Sequence, residues 1–217
     1  MKLLNLLAES EVEQILAGLG RAEWRNGDET AYGSARDRKK NQQITENDPV
    51  MANAFSQLKS FIVRQNGIKI TAFPRQVLNI RAAKYLKGDS YGWHVDQATM
   101  SGHRSDISFT IFLSGKDAYD GGELEADYGT HKVAVKGDKG QIVIYPTGVL
   151  HQVREVIRGE RLVIVGWIES LVPNNEDREN LTALYVETTA LKKRLNQPEA
   201  FDKLNRAIEH MVRMASR

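Results

Sequence analysis

Near the N-terminus, apolar positions recur at helical spacing: Ile15, Leu16 and Leu19 form one stripe. The Ser10-x-x-Glu13 pattern ahead of them predicts a capping box, and Gly20 predicts a left-handed helix end. Met51, Phe55, Leu58 and Ile62 repeat the helical period after Asp48-Pro49, with Asn66-Gly67 as the expected stop. Residues 27–47, between these helices, read as polar and irregular.

From about Phe73 the period shortens to two. Ile107, Phe109, Ile111 and Leu113 fall on one strand face, with Ser108 and Thr110 on the other. Lys132–Val135, Gln141–Tyr145, His151–Ile157 and Arg161–Ile168 are further strand-like runs, separated by turns rich in Gly, Pro or Asp. No amphipathic helix interrupts them, so the pattern predicts an antiparallel sandwich or jelly roll rather than a parallel α/β sheet. Past Pro173 the helical period returns, in Leu181, Leu184, Tyr185, Leu191 and Leu195, then in Phe201, Leu204, Ile208 and Met211. The expected class is mainly β with flanking helices. An N-terminal region (1–72) should pack on a β core (73–170), and a C-terminal helical lobe (171–217) should pack on the sheet.

Composition narrows the chemistry. The 217 residues are 41% hydrophobic and 27% charged, which fits a globular domain, and the formal charge of +2 does not describe a phosphate-binding surface. A nucleic-acid partner is therefore not expected. There is no cysteine, so any metal must sit on His, Asp or Glu. The apolar run at residues 3–8 is too short for a signal peptide, and no stretch is long enough to cross a bilayer. A cytoplasmic protein is expected.

The most informative segment runs from Tyr85 to Asp96. On a strand, His94 and Asp96 point to one side and can share an ion, although H-x-D alone is a weak signal. A second imidazole would complete the face of two His and one carboxylate that leaves positions open for substrate and oxygen. His151, opening a strand after Pro146-Thr-Gly148, is the best placed. His103 and His131 fall in polar turns, and His210 lies on the last helix. Arg161 follows ten residues after His151, and Arg158-Gly159-Glu160 between them reads as a tight turn joining adjacent antiparallel strands. Arg161 shares a face with Val163, Val165 and Trp167; a guanidinium there is costly unless an anion meets it. The competing reading is a surface arginine paired with Glu155 or Glu169.

The pattern Y-x-x-G-x-x-Y-x-x-H-x-D from Tyr85 to Asp96, followed by His151 and Arg161, resembles the iron(II)- and 2-oxoglutarate-dependent dioxygenases of prolyl 4-hydroxylase type. Lys39-Lys40-Asn41-Gln42-Gln43, Tyr91–Asp96 and Asp120-Gly121-Gly122-Glu123-Leu124 are similar to the bacterial PKHD-type hydroxylases. The resemblance implies a double-stranded β-helix with Fe(2+) on His94, Asp96 and His151, and Arg161 on the distal carboxylate of 2-oxoglutarate. It also suggests Tyr85 as a cosubstrate ligand, beside the plainer reading of a tyrosine packed at the sheet edge. Prolyl hydroxylases carry Lys where this chain has Arg161, so a procollagen-like substrate does not follow. The resemblance further implies O2, release of succinate and CO2, an unidentified substrate, and L-ascorbate as an accessory. Two alternatives stay open: a cupin-like metal-binding module without turnover, and a nucleic-acid-demethylating dioxygenase. Arg36, Arg38, Lys39 and Lys40 read as a solvated loop or a lip of the active site. Residues 27–47 and 97–105 are the loops expected to select substrate, and exposed edges with two terminal helices leave room for a homodimer.

Overall fold

Both faces of the largest sheet are apolar, and that dictates the layering. Even-numbered Ile80, Ala82, Leu162 and Ile164 pack under the N-terminal helices, while odd-numbered Ala83, Tyr85, Val163 and Val165 turn toward a second sheet. The computed structural model describes residues 1–30, 33, 36–195 and 198–216.

In chain order the strands begin with β1 (Lys2–Asn5), β2 (Arg25–Asn26), β3 (Lys39–Lys40), β4 (Gln42–Thr45), β5 (Pro74–Tyr85), β6 (Ser90–His94), β7 (Thr99–Met100) and β8 (His103–Arg104). They continue with β9 (Ile107–Phe112), β10 (Tyr119–Gly121), β11 (Leu124–Asp127), β12 (Lys132–Val135), β13 (Gln141–Pro146), β14 (Leu150–Val153), β15 (Val156–Gly159) and β16 (Arg161–Ser170). The helices are α1 (Glu9–Leu19), α2 (Ala52–Arg64), α3 (Asn66–Ala72), α4 (Asn175–Leu195) and α5 (Pro198–Ala215). Seven strands form the major sheet in the order β1-β13-β9-β16-β5-β4-β2, and five form the minor sheet in the order β12-β11-β14-β6-β3. Every pairing is antiparallel. This is the expected jelly roll, with a C-terminal helical lobe.

Several local expectations are corrected. Helix α1 starts one residue before Ser10; its N-cap is Ala8, whose N–H donates to Glu11 at 2.7 Å, and Gly20 stays right-handed at φ −66°. Asp48 caps the turn leading into α2 through the N–H groups of Val50 and Met51, so Pro49 precedes the helix. Asn66-Gly67 opens α3 instead of ending a helix, because Gln65 alone is extended between α2 and α3. Within 27–47, β3 and β4 pair with β6 and β5, so the stretch from Lys39 to Thr45 is sheet apart from Asn41, not irregular chain. Ala31, Tyr32, Ser34 and Ala35 of that segment lie outside the described residues. The run His151–Ile157 is broken at Arg154-Glu155 into β14 and β15, which join different partners.

The helical lobe rests mainly on α3, and the first turn of α4 borders Lys2, Ile107 and Ile144 of the major sheet. Phe73, Val172, Leu181 and Ile208 form the lobe's core, and the Thr182 hydroxyl reaches the Ile70 carbonyl at 2.8 Å. Leu184, Leu191, Leu204 and Met211, expected on the packed stripes, are exposed; the side chain of Leu195 is outside the described set.

Candidate active site

Strands β6 and β14 are neighbours in the minor sheet, with His94 and His151 as Cα partners. Their ring centroids stand 4.2 Å apart, and Asp96, just past β6, reaches between them. Its Oδ1 lies 3.7 Å from His94 Nε2 and its Oδ2 lies 3.7 Å from His151 Nε2. All three ligand atoms fall within 4.8 Å of one another. This is the only such group among the described residues, and His103 and His131 are not part of it.

Each imidazole is held in one tautomer. Nδ1–H of His94 donates to the Gly92 carbonyl at 2.8 Å, and Nδ1–H of His151 donates to the Val149 carbonyl at 2.9 Å. A carbonyl can only accept, so both Nε2 lone pairs face Asp96. Burial, reinforced by the neighbouring His151, pushes His94 down to about 4, which keeps it neutral and ligating near pH 7. The carboxylate is held as well: Asp96 Oδ2 accepts from the Ser108 hydroxyl at 2.7 Å and from Trp167 Nε1 at 2.9 Å. Two neutral imidazoles and a carboxylate converging on one side are the donor set that suits a divalent transition metal with open positions. The residues present fit iron(II).

Arg161 enters from the other sheet. It starts β16, which pairs with β5 and β9, whereas His151 lies on β14 between β11 and β6. The expected hairpin between them does not exist: β15 intervenes and pairs with β10. The two residues meet across the barrel interior, lining one cavity of about 450 Å³ together with His94 and Asp96. Arg161 is only 1% exposed, and none of its three guanidinium nitrogens has a hydrogen-bond partner among the described residues. It is paired with neither Glu155 nor Glu169, so the surface reading fails. Its Cζ lies 5.0 Å from the Tyr85 ring centroid and 5.9 Å from that of Phe112. Tyr85 is its Cα partner and lines the same cavity; burial raises the Tyr85 phenol, which keeps it a donor. The second glycine of the 120–124 motif packs against this arginine. Gly122, at φ +66°, packs so closely that a Cβ there would lie 3.1 Å from Arg161 Cδ.

Two contributors escaped the sequence reading. Ser108 and Trp167, which hold Asp96, lie 12 and 71 residues away, and only sheet pairing brings them together. Lys39, expected in a solvated loop or a lip, is 8% exposed and lines the cavity, donating to Thr30 Oγ1 at 2.7 Å. Burial, then the positive charge of Arg81, pushes its ammonium down to about 7. The 97–105 segment does reach the cavity, through Gln97, Thr99, Met100 and Ser101.

Residues 80–169 match the 2OG-Fe(II) oxygenase superfamily. A PKHD-type hydroxylase of Prochlorococcus marinus is 37% identical over 190 residues, covering 88% of this chain and 86% of the relative. A PKHD-type hydroxylase of Rippkaea orientalis is 34% identical over 212 residues, 96% of each chain. Among solved structures, a Pseudomonas putida prolyl-4-hydroxylase superimposes with a TM-score of 0.55 at 21% identity, over 78% of this chain and 91% of that one. A Burkholderia pseudomallei oxidoreductase of the 2OG-Fe(II) oxygenase family gives 0.56 at 20% identity, over 77% and 84%. These two establish the jelly-roll fold. Relatedness over nearly the whole length decides the rest: the chain belongs to the PKHD-type hydroxylases of the 2OG-Fe(II) oxygenase superfamily, and is a 2-oxoglutarate-dependent oxidoreductase.

Proposed function

We propose that His94, Asp96 and His151 hold one iron(II), and that Arg161 anchors the distal carboxylate of 2-oxoglutarate. The observation that carries the assignment is the unpartnered guanidinium of Arg161, buried in the same cavity as the metal-type cluster. An isolated buried cation is expensive, and a carboxylate is the group its planar fork accepts in two parallel bonds. A metal-holding module without turnover has no use for such a group, which favours a dioxygenase over the cupin-like alternative. When bound, iron(II) supplies the redox chemistry that couples O2 and 2-oxoglutarate to hydroxylation of a C–H bond, with release of succinate and CO2.

The chain's own part is placement. The anchored Arg161 end fixes how far the cosubstrate extends toward His94 and Asp96. Tyr85 offers a phenolic hydrogen bond beside that anchor. Leu124, Val153 and Val165 line the cavity and keep water from the reacting groups. We assign L-ascorbate as an accessory reductant and the cytoplasm as location on the family resemblance and the cysteine-free composition. No helix among the described residues is long and apolar enough to cross a membrane.

Anaerobic titration of the protein with iron(II) and then 2-oxoglutarate tests the assignment. The expected result is a weak visible charge-transfer band that saturates at one equivalent of each, followed by succinate formation on admitting oxygen. A protein that binds iron but never develops the band would refute it.

A further inference from the structure

Two cations stand at the metal end of the cavity, away from Arg161, and both face inward. Arg81 lies on β5, four residues before Tyr85 and on the same strand face, so it sits roughly 13 Å along the cavity from the Arg161 anchor. Lys39 comes from β3 in the opposite sheet, where Tyr91 is its Cα partner. Each is one aromatic ring removed from a metal-type ligand. Lys39 Nζ lies 5.2 Å from the Tyr91 ring centroid, and Tyr91 stacks on His94 at 3.6 Å. Arg81 Cζ lies 5.1 Å from the Trp167 ring centroid, and Trp167 Nε1 donates to Asp96.

This arrangement is costly in the protein alone. The Lys39 ammonium is almost fully buried, its hydrogen bond goes to a neutral hydroxyl, and no carboxylate lies within salt-bridge distance among the described residues. Arg81 repels it, as the lowered basicity of Lys39 records. Asp96 and then Asp28 oppose that shift, each by less than Arg81 adds to it, and Glu29, on the same cavity wall, is exposed to solvent. The backbone beside Arg81 is specialised too. Asn79 and Ile80 together oppose Gly166, a β-bulge with Asn79 at φ +45°, and Asn79 lines the cavity and binds Ser101 of the 97–105 segment.

We propose that the primary substrate is a small acid, whose carboxylate is held between Lys39 and Arg81 with its reacting C–H bond turned toward the iron site. This rests on the assignment of iron and 2-oxoglutarate above. An anion bridging the two side chains removes their repulsion and completes the donors of a buried ammonium. With Arg161 taking the cosubstrate at one end and the Lys39–Arg81 pair taking the substrate at the other, each acid has a cationic seat of its own along the cavity.

The anaerobic iron(II)–2-oxoglutarate complex reports on this directly, because a ligand arriving beside the iron shifts its visible band. The probes are N-acetylglycine, N-acetyl-leucine and N-acetyl-lysine, each compared with its carboxamide. At least one acid should shift the band at a concentration tenfold or more below its amide. Lys39→Gln and Arg81→Gln should each erase that advantage, and Lys39→Arg should keep part of it. Near-ultraviolet circular dichroism of the variants verifies the fold, and their 2-oxoglutarate titrations should match the parent within about twofold. Amides that match the acids, or acids that leave the band unmoved, would overturn the proposal. So would a tenfold weaker 2-oxoglutarate titration in either Gln variant, which would assign the pair to the cosubstrate instead. Failure of the parent to form the band at all refutes the iron and 2-oxoglutarate assignment, and this proposal falls with it.

Discussion

His94 and His151 are Cα partners on adjacent antiparallel strands, so the register of β6 against β14 sets the distance between two of the three metal-type ligands. Asp96 completes the set from the chain just past β6, with an oxygen 3.7 Å from each imidazole. Removing the carboxylate leaves two neutral imidazoles, too few donors to retain iron(II) against buffer. Asp96→Ala should lose stoichiometric iron and all succinate formation. Metal analysis after desalting and a succinate assay check this, and normal turnover would refute the assignment.

Ser108 and Trp167 should matter without touching the metal. Both donate to Asp96 Oδ2, leaving Oδ1 nearer His94 and aiming the carboxylate. Groups that orient a ligand are typically worth about 10–100-fold in metal affinity. Ser108→Ala and Trp167→Phe should each weaken iron(II) binding within that range while the melting temperature changes little. Competition with a chelator of known affinity measures it; unchanged affinity in both variants would make the two contacts incidental.

The His94–Asp96 pair was legible because residues two apart on an extended chain share a side, and the chain stays extended enough past the end of β6 for Asp96 to reach His94. The two faces of β9 were legible for the same reason, and Ser108 does fall opposite Phe109 and Ile111. What the chain order concealed was pairing. Ten residues separate His151 from Arg161, which suggests a hairpin, but β15 leaves to pair with β10 and the two residues arrive in different sheets. Lys39 was hidden by its company, since a run of Arg and Lys reads as solvated until β3 tucks one of them against Tyr91. The start of α1 was misplaced because Ser10 carries the stronger capping signature, although the chain already turns helical at Glu9.

His103 has structural partners of its own. Its Nδ1 lies 2.9 Å from Gln76 Nε2 and 3.3 Å from Glu169 Oε2, pinning the β7–β8 hairpin to the end of β16. His103→Ala should therefore retain full iron occupancy, and His131→Ala likewise. Loss of iron in either variant would overturn the ligand set.

Lys39 predicts a pH dependence of the ligand-free protein. Burial and Arg81 hold its pKa in the folded chain at about 7, against about 10.4 when unfolded. Between these values the unfolded chain binds the extra proton, so stability rises with pH across that window. Below about 7 the protonated ammonium is present in both states and the full penalty applies. Lys39→Met removes the group, so the variant should gain most over the parent near pH 6–7 and converge on it near pH 10. Melting temperatures of the two proteins across that range test it, and a difference that does not shrink as pH rises would count against a strained ammonium.

Arg161 carries two effects of opposite sign. In the ligand-free protein its guanidinium is buried with no hydrogen-bond partner, and stacking over Tyr85 and Phe112 returns only part of the desolvation cost. Arg161→Met, which fills similar space without charge, should therefore raise the melting temperature of the ligand-free protein by a few degrees, at about 2–4 °C per kcal/mol. The same change strips the cosubstrate of its anchor. Losing one partner of a buried ion pair costs about 3–5 kcal/mol, or roughly two to four decades in affinity. The variant should keep iron yet need 2-oxoglutarate at concentrations higher by orders of magnitude. Arg161→Lys should recover only part, because an ammonium keeps the charge and loses the fork. Added 2-oxoglutarate should stabilise the parent against heat and leave Arg161→Met unmoved, since only a ligand that binds the folded state raises its melting temperature. Equal stabilisation of both proteins would show that the carboxylate binds elsewhere.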